Sequence, residues 1–154
     1  MSRTTTGEMS SDEARGRILS QHAVLRMLLA NVVGSADRTA ASGEEFETLR
    51  ERAKLLYETL AVHMTFEEQL LPAALRDVIG CGVMIREGLQ EDHARQRRAI
   101  ARAISEIGPN GLSGAALIES VRAFAVMLLV DMESEESSLL RADLDALSND
   151  SHGG

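Results

Sequence analysis

Apolar residues recur along the chain at the three- and four-residue steps of an α-helix, in four separate runs. The first opens near Ser11, an N-cap candidate followed by acids, and extends to about Asp37 with Ile18, Leu25, Leu29 and Val33 on one stripe. The second starts behind "ASG" and reaches about Arg76, with Leu49, Leu56, Leu60 and Leu70 on its stripe and Pro72 as a kink or near-terminus. "DVIGCGVMIREG" reads as a connection into a third helix near Met84, which carries Leu89, Ile100 and Ile104 and stops at "GPNG". The fourth runs from about Leu112 to Leu147 with Leu117, Val121, Phe124 and Leu128 on its stripe. Four long helices with short loops predict an all-α, antiparallel up-down-up-down four-helix bundle over residues 11–147, flanked by disordered tails at 1–10 and 148–154.

Each stripe is broken by a polar residue. His22 falls between Ile18 and Leu29, His63 between Leu56 and Leu70, and His93 between Leu89 and Ile100; on the fourth helix Asp131 stands between Leu128 and Leu139. The breaks are organised by an internal repeat. "LAVHMTFEEQLL" (60–71) and "LLVDMESEESSLL" (128–140) align at a fixed offset, pairing Leu60 with Leu128, Met64 with Met132, Glu67 with Glu135 and Leu71 with Leu139. The exchange within this core is His63 for Asp131. Helices one and three match more weakly, Ile18 with Leu89, His22 with His93 and Leu29 with Ile100. The chain reads as two related helical hairpins.

Residues four apart on a helix are separated by about 40° and point the same way. His63 with Glu67, and Asp131 with Glu135, are such pairs, so the bundle interior is expected to collect three imidazoles and three carboxylates. Burying that set unpaired is very unfavourable, and one or two metal ions would offset the cost. Mixed imidazole and carboxylate donors suit iron, manganese or zinc. Glu68, Glu133 and Glu136 rotate off the seam and are expected to be solvated or salt-bridged. Met64 and Met132 read as core packing, and Tyr57 as a helix-interface residue.

Composition narrows the function. At 154 residues the chain is one domain's length, with 44% hydrophobic and 26% charged residues, as in soluble globular proteins. Aromatics at 3% leave the core to aliphatic and Met side chains. A net charge of −8 argues against non-specific nucleic-acid binding. One cysteine, Cys81, excludes an intramolecular disulfide and a cysteine-based metal cage. The polar N-terminus lacks a signal-peptide stretch, and no apolar run approaches the roughly 18–20 residues of a membrane span. A cytoplasmic protein without membrane or nucleic-acid partners is the expectation.

A ferritin-like di-iron bundle would place Glu three residues before its histidines. Here those positions are Leu19, Leu60 and Gln90. The ordered set "QHAVLR", "HMTFEE", "EDHARQR" and "DMESEE" instead resembles the hemerythrin-like, or HHE cation-binding, family, over about residues 12–147. The resemblance implies a centre of two non-haem iron ions, oxo- or hydroxo-bridged, inside the bundle, other divalent metals remaining possible. Its implied ligands are His22, His63, Glu67, His93, Asp131 and Glu135. Glu67 and Glu135 would bridge, His22 and His63 would serve one iron, and His93 with Asp131 the other. Family activities include oxygen binding, sensing of oxygen, nitric oxide, redox state or iron, peroxide handling and repair of iron–sulfur centres.

Two departures shape the expected function. Oxygen-carrying members usually have a second histidine four residues after the first on helix three; here that position is Arg97, which cannot ligate a metal. The family's helix-four histidine is Asp131. A site with three histidines and three carboxylates favours ferric iron and leaves open positions, which fits reaction with, or sensing of, a small oxidant (oxygen, peroxide or nitric oxide) better than reversible oxygen carriage. The alternatives are a metal- or redox-responsive signalling module without turnover, or an iron-handling or iron–sulfur repair protein. No catalytic residue outside the metal set is evident, and no protein partner is indicated.

Overall fold

The computed structural model describes residues 9–78 and 82–150. Within them lie four helices, α1 (Ser11–Ser42), α2 (Phe46–Ala74), α3 (Gly82–Ile107) and α4 (Gly114–Asp150), and no strand. Helix α1 packs on α2 and α4, and α3 packs on the same two, while α1 and α3 do not meet closely. That is the ring order of the expected bundle. No helix among the described residues is long and apolar enough to cross a membrane. Cys81 and most of the expected tails lie outside the described residues, whereas α4 continues to Asp150.

Local chemistry sets the helix ends. Ser10, not Ser11, caps α1, its hydroxyl accepting from the Glu13 N–H at 3.1 Å, the first half of a Ser-x-x-Glu capping box. Helix α1 runs past Asp37 to Ser42 because the breaker is Gly43, whose left-handed φ of 68° lets its N–H reach the Thr39 carbonyl at 2.8 Å. Pro72 sits in the last turn of α2, and the chain leaves the helix after Ala74. In the α3–α4 turn a side chain on Gly111 would stand 2.1 Å from the Glu106 carbonyl oxygen, so only glycine fits. Arg50 of α2 secures this turn, donating to the carbonyls of Ile107 and Leu112 at 2.9 Å each.

The apolar core is divided into two clusters. One contains Leu25, Val32, Leu49, Leu56, Leu60, Met64, Ile100, Leu117, Phe124, Leu128 and Met132; the other contains Ala14, Ile18, Leu70, Leu71, Leu89 and Leu139. On every helix a polar residue separates the two. His22 lies between Ile18 and Leu25, Glu67 between Met64 and Leu70, His93 between Leu89 and Ile100, and Glu135 between Met132 and Leu139. Two stripes also shift from their expected course. Val32 and Ala36 are buried on α1, with Val33 only half-buried, and Ala103 and Ile107 face inward on α3 while Ile104 is exposed. The true 3.6-residue period selects small alanines that an apolar count passes over.

Tyr57 is fully buried in the larger cluster, its ring tilted against Phe124 with centroids 4.4 Å apart. Its hydroxyl meets no hydrogen-bond partner among the described residues. An unsatisfied buried hydroxyl costs roughly 1–3 kcal/mol. Tyr57→Phe is therefore expected to raise stability in urea denaturation by about 1 kcal/mol; a loss of that size would reveal a partner for the hydroxyl.

Candidate metal centre

The polar layer is built from one turn on each of four helices. His22 comes from α1, His63 and Glu67 from α2, His93 from α3 and Glu135 from α4, and all five are buried. His63 and Glu67 stand one helical turn apart, which brings Nε2 to within 2.7 Å of Oε2. Across the bundle, His22 Nε2 lies 3.0 Å from Glu135 Oε1 and 4.0 Å from Glu67 Oε2. His93 Nε2 approaches from the other side, 3.6 Å from Glu67 Oε2 and 3.7 Å from Glu135 Oε2. Glu67 Oε2 therefore has three imidazoles around it. Glu135 turns one oxygen to His22 and the other to His93.

Charge balance in this layer is finely poised. Burial pushes the Glu67 carboxyl up, but His63, His93 and the neighbouring Glu135 overturn that effect and hold it below the usual carboxylate range. Glu135 goes the other way: burial, reinforced by the charge of Glu67, raises it despite His22 and His93. Burial opposes the imidazolium forms of His22 and His93, yet the adjacent acids prevail, raising His22 and lifting His93 to about 10. The layer calls for positive charge at its centre.

The same donors fit a metal ion. One ligand atom each from His22, His63, Glu67 and Glu135 lies within 4.8 Å of the others. Donors bound to a common ion at roughly 2.0–2.2 Å stand up to about 4.4 Å apart, so little contraction is required. Both Glu67 oxygens and His63 Nε2 are buried without a hydrogen-bond partner, although His63 and Glu67 are in contact. Buried polar atoms are nearly always satisfied. A cation coordinated by these three atoms would satisfy them together.

Asp131 is placed differently from its expected role as a ligand. Its carboxylate faces α3, where Arg95 Nη2 donates to Oδ1 at 2.8 Å and Gln96 Nε2 donates to Oδ2 at 3.1 Å. Asp131 is buried, as the stripe required, but it is not one of the four clustered donors. Two α3 donors claim it, one for each oxygen.

Several contacts around these donors are not evident from the sequence. Glu136 accepts from His22 Nδ1 at 3.1 Å and is gripped by Arg26 through two bonds of 2.7 and 2.9 Å. Glu68 accepts from His93 Nδ1 at 3.3 Å and is gripped by Arg97 through two bonds of 2.6 and 2.9 Å. Arg97 beside Glu68 holds that carboxyl below its ordinary range. Gln21 Oε1 accepts from His63 Nδ1 at 2.5 Å. Glu68 and Glu136 are salt-bridged as expected, but each bridge also ends on a histidine. The internal repeat held the signal: Arg26 and Arg97 each follow their histidine by four, and Glu68 and Glu136 each follow their seam acid by one.

An antiparallel four-helix bundle with a buried imidazole–carboxylate layer is a helical domain with a candidate cation site. The profile of the hemerythrin HHE cation binding domain matches residues 15–142, and the chain belongs to that family. Comparison with curated proteins and with solved structures finds no match.

The pairing of Asp131 gives a direct test of its role. Asp131→Ala should leave metal content at the His22, His63, Glu67 and Glu135 group unchanged, measured by elemental analysis. It should cost about 1–3 kcal/mol in urea denaturation, because Gln96 loses its acceptor inside the bundle. Loss of metal with unchanged stability would put Asp131 among the ligands.

Proposed function

We propose that this chain is a non-haem iron protein whose polar layer holds two iron ions and which reacts with, or senses, a small oxidant such as oxygen, peroxide or nitric oxide. The observation that carries the reading is the division of Glu135 between His22 and His93, with Glu67 Oε2 within 4.0 Å of all three imidazoles. A carboxylate whose two oxygens face different imidazoles is arranged to bridge two ions. Bound iron supplies the electron transfer that these side chains cannot perform themselves.

The chain's own residues define the surroundings of that chemistry. His22 and His63 would hold one ion together with both acids, and His93 with the same two acids would hold the other. Apolar layers on both sides restrict water to the edges of the bundle. A groove of about 200 Å³ lined by Val24, Leu25, Val62, Phe66 and Gln21 reaches His63 from the α1–α2 surface. Its apolar walls suit a small, weakly polar molecule. With Asp131 held by Arg95 and Gln96, the second position has few protein donors, which favours reactivity over stable, reversible oxygen carriage.

Anaerobic ferrous loading followed by elemental analysis and an absorption spectrum tests the proposal. About two irons per chain are expected, bound with unequal affinity, with ligand-to-metal charge-transfer absorption appearing on exposure to oxygen or peroxide. A chain that retains no iron after loading sinks the proposal. One iron with no spectral response to any of the three oxidants removes the reactive di-iron centre and leaves a simpler cation site.

A further inference from the structure

Two of the three histidines share a support that the third lacks. At His22, Nδ1 meets Glu136 Oε1 at 3.1 Å, and both oxygens of Glu136 are held by the two terminal nitrogens of Arg26. At His93, Nδ1 meets Glu68 Oε1 at 3.3 Å, and both oxygens of Glu68 are held by Arg97 in the same forked manner. Each acid comes from an even-numbered helix and each arginine from the odd-numbered helix that carries the histidine. The two arrangements are copies under the internal repeat. His63, by contrast, is backed by the neutral amide oxygen of Gln21.

We propose that Arg26–Glu136 and Arg97–Glu68 are a matched pair of clamps that fix the Nδ1–H tautomers of His22 and His93, so that both rings present Nε2 to the bridging acids and to metal. The proposal rests on the metal reading above and adds four positioning residues to it. The argument is geometric. A carboxylate gripped on both oxygens by a guanidinium is an acceptor of fixed orientation. A ring nitrogen facing it carries hydrogen, so when a metal replaces the proton at the opposite nitrogen, that nitrogen offers its lone pair and the ring stays in the Nδ1–H form. In both rings that opposite nitrogen is the one turned toward Glu67 and Glu135. Partners on the far nitrogen of ligating histidines set ring orientation and donor strength, and losing one typically weakens metal binding about 10–100-fold.

Arg26, Arg97, Glu68 and Glu136 all retain some solvent exposure, and none belongs to the apolar clusters, so substitutions there should spare the fold. Cobalt(II) is a suitable probe, because its visible absorption reports coordination directly. Glu136→Ala and Glu68→Ala should each weaken cobalt binding by about 10–100-fold and alter that spectrum. Glu136→Gln, which keeps an acceptor oxygen, should recover much of the loss. Nitrogen-15 NMR of the zinc-loaded chain should show His22 and His93 protonated at Nδ1, and in the matching alanine variant that N–H should exchange faster with solvent.

If the wild type binds cobalt and both alanine variants match it within about twofold in affinity and spectrum, the clamps are overturned while the metal reading stands. Protonation at Nε2 in the zinc-loaded chain overturns them as well. If the wild type binds neither cobalt nor zinc, the metal reading falls and the clamps fall with it. Should an alanine variant fail to fold, Arg26→Met and Arg97→Met take its place. They free the acid without removing the acceptor and should produce the same spectral change in weaker form; an unchanged spectrum in both overturns the clamps.

Discussion

Everything in this bundle is arranged around one fully buried carboxylate. Glu67 has no solvent exposure, stands about two turns before the end of α2 and receives no well-formed hydrogen bond on either oxygen. An ion withdrawn from water in this way costs several kcal/mol even after the surroundings relax. Three imidazoles converge on its Oε2, one from each of α1, α2 and α3, while α4 supplies a second acid. That demand for positive charge explains why a polar layer crosses the whole bundle and why the apolar core falls into two clusters on either side of it.

The two hairpins meet this demand in the same way at one level and in different ways at another. His22 with Arg26 and Glu136 is repeated as His93 with Arg97 and Glu68. His63 with Gln21 has as its counterparts Asp131 and Asp92, two acids where the other half has an imidazole and an amide. Left alone, those acids would repel. Arg95 joins them, bonding Asp92 at 3.0 Å and Asp131 at 2.8 Å, and Gln96 completes the set. The positions matching Arg95 and Gln96 in the first hairpin are Val24 and Leu25, which line the apolar groove beside His63. The change at residue 131 is thus accompanied by the donors that absorb its charge.

This accounts for what could and could not be read from the residues alone. Four helices, their order and most of the core followed from period and breakers, because Leu, Ile and Phe stripes carry a strong signal and "ASG" and "GPNG" interrupt it. The register slipped where the seam uses alanine, as at Ala36 and Ala103, since a small residue is silent in an apolar count. At the centre, His22, His63, Glu67, His93 and Glu135 were legible as polar residues on apolar stripes, and all five are found together. The partner of Asp131 was not. Spacing states which face a side chain occupies, but not which neighbour on the next helix will claim its oxygens. Arg95 and Gln96 become its partners only where α3 lies against α4. The clamps were hidden for the same reason, since each crosses between helices far apart in sequence.

The difference between the halves bears on chemistry as well as packing. Around His22 and His63 the layer offers two imidazoles and two acids within 4.8 Å, open on one side to an apolar groove. Around His93 it offers one imidazole and the outer faces of the same acids, beside a carboxylate already committed to an arginine. Arg95 is half exposed, so the charge it contributes is partly screened by water, whereas the charge of Asp131 is not. In the proposed two-ion centre, a cation beside His93 would compete with that guanidinium for Asp131 or accept fewer protein donors. With an acid at the position that matches His63, and an arginine to hold it, the layer gathers its donors around His22 and His63 and leaves the His93 side sparse. Under that proposal the sparse side is where an outside molecule would find room to bind.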